Sequence, residues 1–306
     1  MPDRAIDLGV AQALARVPFL AAHPAATWRV APLDSLTNHV WRVTGPGGDF
    51  VLRLANPAPY LDRAREAHNH RLAAALKLAP PILFEDAASG LMVTVFLKDH
   101  QPFDRAADRR AAIAAVGHAL GRLHYSGAAF QGEMRLAPTL NHYLDIAGIA
   151  GASVAAIWQR VRSEVEPVLE RLERHLVPSH VDPVPANILL SNVDTHTSVH
   201  FIDWEYSAPA TGVWDLADFS IEAGLTAMED DALLAAYASQ QGRVSIAAFA
   251  LYKAMLDLLA AAWAASQTAL PGARAAHDDM IPLRLARSCR VLDASDFAAL
   301  VAKAGA

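Results

Sequence analysis

The chain has 306 residues, 53% hydrophobic and 19% charged, which excludes a disordered chain; the length suits two lobes better than one hydrophobic core. Its formal net charge is −6 and no segment is a dense Lys/Arg block, so neither nucleic acid nor an anionic membrane surface is expected as a partner. The single cysteine, Cys289, excludes an internal disulfide and fits a reducing, cytoplasmic compartment.

Asp3, Arg4 and Asp7 interrupt any apolar core of a leader peptide. Ile6, Val10, Leu14 and Val17 recur at helical spacing and predict a short helix over 4–17, ending before Pro18. The period then changes. Thr27–Leu33, Val40–Thr44 and Asp49–Leu54 read as strands of an antiparallel meander, the last two joined by Gly45-Pro46-Gly47-Gly48. Leu61–Leu78 reads as a helix stopped by Pro80-Pro81, and Ile82–Glu85 and Leu91–Leu97 as two further strands around the turn Asp86–Gly90. Beyond Leu97 the chain turns helical, over Asp104–Leu123, Tyr143–Glu173, Asp215–Ala223, Asp230–Gln241 and Ser245–Ser266. Lys253 and Asp257 break the longest apolar stretch, Leu251–Ala265, which reads as a buried helix and not a membrane span. One strand pair is expected in this half, Ile188–Ser191 with Ser198–Ile202. The layout is therefore α+β: a β-rich region over 1–97 and a larger, mostly helical region over 98–306 carrying one hairpin.

The segment from Ser179 to Tyr206 carries the chemistry. Asn187 stands just before the first hairpin strand and Asp203 just after the second, so antiparallel pairing is expected to bring an amide oxygen and a carboxylate to one end of the hairpin. Such hard oxygen ligands suit Mg²⁺. Asp182, in the loop entering the same end, can orient a hydroxyl and accept its proton. Phosphoryl transfer needs these parts, because its loose transition state asks the protein mainly to position groups and neutralise charge. His180-x-Asp182-x-x-x-x-Asn187 followed by a strand ending at Asp203 is the kinase catalytic-loop arrangement. His180 itself is assigned to structure.

Around these residues the chain resembles the choline/ethanolamine kinase branch of the aminoglycoside phosphotransferase-like superfamily, over nearly its whole length. The motifs that carry the resemblance are Leu36-Thr37-Asn38-His39-Val40-Trp41-Arg42-Val43, Val51-Leu52-Arg53-Leu54, Arg65-Glu66-Ala67-His68-Asn69, Leu120-Gly121-Arg122-Leu123-His124 and Ile202-Asp203-Trp204-Glu205-Tyr206. The resemblance implies a two-lobed protein-kinase-like fold, with an N-lobe of antiparallel sheet plus helix and a larger helical C-lobe, and an enzyme using ATP and Mg²⁺. It implies that Arg53 holds the α/β-phosphates, its fork suited to two bonds, with Glu66 as its partner. It places Ser35, Thr37 and Asn38 over the phosphates and the adenine against the backbone near Phe96. Two departures stand out. Asp34-Ser35 replace the adjacent glycines of the family's nucleotide loop, and Ala260 stands three residues before Trp263 where the family commonly offers a second tryptophan.

The resemblance also implies a small hydroxyl acceptor carrying a cation, choline or a similar amino alcohol, with thiamine or an aminoglycoside as alternatives. Aromatic faces and a nearby carboxylate hold such groups; Glu205, Tyr206, Trp214 and Trp263 are the candidates, and Asp215 is expected to brace the catalytic loop. Two other classes compete with this reading. A metal-dependent hydrolase would need more ligands than His-x-Asp supplies, and His196 and His200 fall away from the open end of the hairpin. A catalytically silent, partner-binding pseudokinase finds some support in Asp34-Ser35.

Overall fold

The N-terminal meander forms as the alternation predicts. In the computed structural model, which describes residues 8–35, 38–56, 61–193, 196–240, 244–269 and 275–306, helices α1 (Leu8–Arg16) and α2 (Pro18–Ala21) precede strands β1 (Arg29–Leu33), β2 (His39–Gly45) and β3 (Gly48–Leu54). Helix α3 (Arg63–Ala75) follows, then β4 (Ile82–Asp86) and β5 (Leu91–Val95). The five strands form one antiparallel sheet in the order β1-β2-β3-β5-β4. Val10, Leu14 and Val17 from α1 and its end, Leu20 from α2, and Trp28, Val43, Phe50, Leu52 and Val93 make its core. Pro18 does more than stop α1: it starts α2 from the first helical position, where its missing N–H has no partner to lose.

The remaining elements are β6 (Gln101–Pro102), α4 (Arg109–His124), α5 (Leu136–Ala147), α6 (Ala152–Leu172), β7 (Val177–Ser179), β8 (Ile188–Val193), β9 (His196–Phe201), β10 (Ala208–Ala210), α7 (Gly212–Glu222), α8 (Ala227–Ala238), α9 (Ile246–Thr268), α10 (Ala275–Leu292) and α11 (Phe297–Ala304). The chain divides into two units, Met1–His100 with His200–Tyr206, and Gln101–Val199 with Ser207–Ala306. The 200–206 segment is anchored in the first unit. The N–H of Phe201 donates to the Leu78 carbonyl at 2.7 Å, and Trp204, fully buried, packs near the His70 ring of α3.

In the second unit α9 is the axis, packed against α5, α7, α10 and α11. By length and composition it could cross a membrane, but two thirds of its apolar window is buried inside the unit, as a core helix requires. Asp257, the acid that interrupts its apolar run, is buried and paired with Arg284 at 3.2 Å and Arg287 at 2.8 Å of α10. The helix expected over Tyr143–Glu173 is in fact two. Gly148 takes φ +53°, a left-handed conformation that other residues adopt rarely, and a 3-10 turn over Gly148–Gly151 redirects the chain between α5 and α6. Helices α10 and α11 and the short β7–β10 pair were not predicted.

Helices α4 and α8 meet where α4 has no side chain. A Cβ on Gly117 would sit 2.8 Å from the Leu233 carbonyl oxygen and 3.0 Å from the Ala236 Cβ. Gly117→Val is expected to lower stability by about 1–3 kcal/mol through overpacking, read as a lower denaturation midpoint; an unchanged midpoint would contradict so close an approach.

Candidate active site

The first unit holds a buried charge network. Arg53 of β3 pairs with Glu66 of α3, and its Nη1 lies 3.5 Å from Asp203 Oδ1. Asp62 caps α3 by accepting the N–H groups of Ala64 at 3.1 Å and Arg65 at 3.0 Å, which fixes the first turn where Arg63 and Glu66 stand at i and i+3. Arg63 Nη1 then bridges Glu66 and Glu205, 2.9 Å to each. Asn38 Nδ2 donates to Glu205 Oε2 at 3.2 Å. Burial raises the carboxyl of Glu66, but Arg53 and Arg63 outweigh it and leave its pKa below the ordinary range. Burial works against the Arg53 charge, and pairing with Glu66 more than offsets it.

Asp203 is the unsatisfied member. Its backbone sits at φ +64°, a strained conformation that surrounding structure must hold. Its Oδ1 is buried with no hydrogen-bond partner among the described residues. Burial, with Glu205 adding to it and Arg53 opposing, pushes its pKa up to about 7. A buried carboxylate oxygen met only by the long ion pair to Arg53 fits a hard divalent cation.

The second unit holds the loop that carries Asp182 and Asn187, stapled by one carboxylate. Asp215 of α7 accepts the backbone N–H groups of His180 (Oδ2) and Val181 (Oδ1), each at 2.8 Å, and its Oδ2 also meets His124 Nε2 at 3.1 Å. His124 Nδ1 lies 2.9 Å from the Tyr237 hydroxyl. Trp214 Nε1 donates to the Val181 carbonyl at 3.0 Å. These bonds hold Val181 at φ +75°, a true outlier for a β-branched residue and a conformation costing about 1–3 kcal/mol. The next residue is Asp182. Asn187 Nδ2 donates to the Asp182 carbonyl at 3.1 Å and to its Oδ2 at 3.2 Å, which leaves the amide oxygen of Asn187 as the atom for a cation.

Several predicted residues lie where their expected roles must change. Glu205, 3% exposed, is tied to Arg63 and Asn38 and is a brace of the first unit instead of an open acceptor contact. Trp214, 2% exposed with its indole N–H in use, braces the loop and presents no free face. In the stretch expected to meet the adenine with its backbone, the N–H of Phe96 itself is already used, donating to the Asp49 carbonyl at 3.1 Å, while the Phe96 ring carries the Arg42 guanidinium at 4.1 Å. Ser35 Oγ accepts the Asn38 N–H at 3.2 Å. Thr37 lies outside the described residues. His180 is fully buried beside Asp215; Tyr206 and Trp263 are half-buried. Arg63, Tyr237 and Asp218 were missed. The i, i+3 spacing to Glu66 could have flagged Arg63; no local signal marks Tyr237.

A sequence model of the phosphotransferase enzyme family matches residues 29–279. Protein LicA of Haemophilus influenzae is 28% identical over 219 residues, 69% of this chain and 63% of that protein, so the match spans less than two thirds of that relative's length. The crystal structure of a choline/ethanolamine kinase family protein from Mesorhizobium loti is 30% identical, with a TM-score of 0.81 over 97% of this chain and 98% of that one. A crystal structure of LicA in complex with AMP, 20% identical, shares the fold with a TM-score of 0.72 over 91% of this chain and 96% of that one.

The state of Asp203 has a pH signature. Between pH 3.8 and about 7 the folded chain keeps a proton on Asp203 that an ordinary carboxyl has lost, so this group lowers stability progressively as pH rises through that window. Asp203→Asn, which mimics the protonated form, is expected to be more stable than the native chain by an amount that grows from pH 4 to pH 7, levels off above, and reaches on the order of a few kcal/mol. Chemical denaturation at several pH values checks it; a pH-independent difference would contradict the raised pKa.

Proposed function

The chain belongs to the phosphotransferase enzyme family, on its choline/ethanolamine kinase branch, and from that premise we propose that it transfers the γ-phosphoryl group of ATP, with Mg²⁺, to a hydroxyl of choline or a similar amino alcohol. The α+β, protein-kinase-like fold expected from the sequence is the one it shares with those structures. The observation that carries the reading is the loop stapled by Asp215, which holds Asp182 next to a strained Val181 and ties it to Asn187. Such strain persists at functional sites where the surroundings over-determine it. The AMP bound to the LicA neighbour supports a nucleotide as the donor.

In this reading Asp182 orients the acceptor hydroxyl and takes its proton as the oxygen attacks the γ-phosphorus. The new O–P bond forms as the bond from the γ-phosphorus to the bridging oxygen breaks, and ADP leaves. Asn187 and Asp203 are the residues that would hold Mg²⁺, which neutralises phosphate charge when bound. Arg53 addresses the phosphates from the first unit, with Ser35, Thr37 and Asn38 on the nucleotide loop. Glu66 and Arg63 hold the charge network in register. Glu205 and Trp214 serve as braces in this reading, and the half-buried Tyr206 and Trp263 are assigned as the aromatics of the acceptor site. A cytoplasmic setting, where ATP and amino alcohols are both present, belongs to the same proposal.

Product formation over choline, ethanolamine, thiamine and aminoglycosides with Mg–ATP tests the function; nucleotide binding with no product on any acceptor would favour the silent pseudokinase. Asp182→Ala is expected to lower kcat about 10²–10⁴-fold with little change in the unfolding midpoint, and near-native turnover would remove it from the mechanism. Asp203→Ala is expected to weaken Mg–nucleotide binding by about tenfold or more, measured by calorimetry with and without the metal. Unchanged affinity would withdraw the metal assignment.

A further inference from the structure

Helix α7 places Asp215, Asp218 and Glu222 at spacings of three and four, one stripe of the helix. Asp215 turns that stripe toward the catalytic loop by its bonds to His180 and Val181, and Asp218 follows one turn on. Its Oδ2 is buried and has no hydrogen-bond partner among the described residues. The charges acting on it are those of Glu222, Asp182, Asp215 and Arg284. Arg284 is no counter-ion of its own, since Glu222 holds it at 2.6 Å and Asp257 at 3.2 Å. Burial and the three carboxylates push the Asp218 carboxyl well above the ordinary range, a sign that this end of the stripe has a surplus of negative charge.

A buried carboxylate oxygen without a donor forfeits about 1–3 kcal/mol or more, and native chains rarely keep one without a use. Asp218 Oδ2 thus lacks an N–H donor and, with Arg284 held by Glu222 and Asp257, a cation of its own, on the helix that staples the loop carrying Asp182. A protonated amine supplies both. A quaternary ammonium supplies the charge alone and is held by aromatic faces instead. Here α9 offers little of that kind, for Trp263 is its one aromatic residue that is not buried, and Ala260 stands a turn before it.

We propose that Asp218 is a specificity-determining residue that accepts a hydrogen bond from the acceptor's ammonium, so that this chain prefers amino alcohols bearing at least one N–H to quaternary ones. The inference rests on the phosphotransferase reading above and narrows its acceptor. A hydrogen bond to a charged group contributes about 1.5–3 kcal/mol, which sets the expected discrimination at tenfold or more.

The test is a methylation series. Initial rates with Mg–ATP are measured for ethanolamine, N-methylethanolamine, N,N-dimethylethanolamine and choline, beside calorimetric binding of the same amines to the native chain and to Asp218→Asn. The three N–H acceptors should exceed choline in kcat/KM by about tenfold or more, and Asp218→Asn should shrink that advantage mainly through KM, costing the N–H amines several-fold more than choline. Choline and ethanolamine used equally by the native chain would overturn the inference, and so would equal losses for all four amines in the variant; either leaves phosphoryl transfer standing. Should no amine be phosphorylated, ethanolamine binding that Asp218→Asn removes would sustain this inference while the transfer reading falls. No ethanolamine binding by the native chain would end both.

Discussion

Everything in the second unit that bears on chemistry depends on one carboxylate accepting two adjacent backbone N–H groups. Asp215 meets His180 and Val181 at 2.8 Å each, and without those acceptors Val181 has no reason to remain at φ +75°. A β-branched residue leaves that region unless something charged and immobile holds its amide. The immobility has a visible source. His124 and Tyr237 back the carboxylate, Trp214 holds the far side of the Val181 peptide, and Gly212 leaves space for the Tyr237 hydroxyl, which a Cβ there would approach to 2.7 Å. Helices α4, α7 and α8 thus converge on a single peptide, and the side chain it directs is Asp182.

The first unit solves a different electrostatic problem. Arg53, Arg63, Glu66 and Glu205 are largely removed from water, and ions so placed contribute little stability beyond what their pairing returns. Their arrangement is uneven in a telling way. Arg63 bridges Glu66 and Glu205 at 2.9 Å each, whereas Asp203 is reached by Arg53 only at 3.5 Å and burial pushes its pKa up to about 7. An oxygen so weakly paired, on a residue whose backbone is itself held in a left-handed conformation, suits the cation position proposed above.

The strands of the first unit were legible in the sequence because alternation and Pro-Gly punctuation are local signals; β1, β2 and β3 pair in the order that the meander implies, while β5, and not β4, takes the place beside β3. The candidate loop from Ser179 to Asn187 could be marked in the sequence because its spacing is short. What escaped has a common physical cause. The break between α5 and α6 turns on the φ of Gly148, which helical periodicity does not register. Glu205 and Trp214 looked like acceptor contacts because a carboxylate and an indole beside a catalytic motif have the right chemistry; their partners, Arg63 and the Val181 carbonyl, are distant in sequence and known only from packing. Asp218 escaped for the opposite reason, since its significance lies in lacking a partner, and no sequence pattern encodes that.

The return of residues 200–206 to the first unit has a consequence for how this gene can be handled. Arg63 and Asn38 of that unit find Glu205, and His70 finds Trp204, only on a stretch synthesised after some hundred residues of the other unit. Neither half is therefore an independent cassette. A fragment ending at His100 would expose the sites of Trp204 and Glu205 as a gap in its interior and strand Arg63 beside Glu66 alone, so recombination or splicing at that seemingly natural seam separates residues that mature as one body.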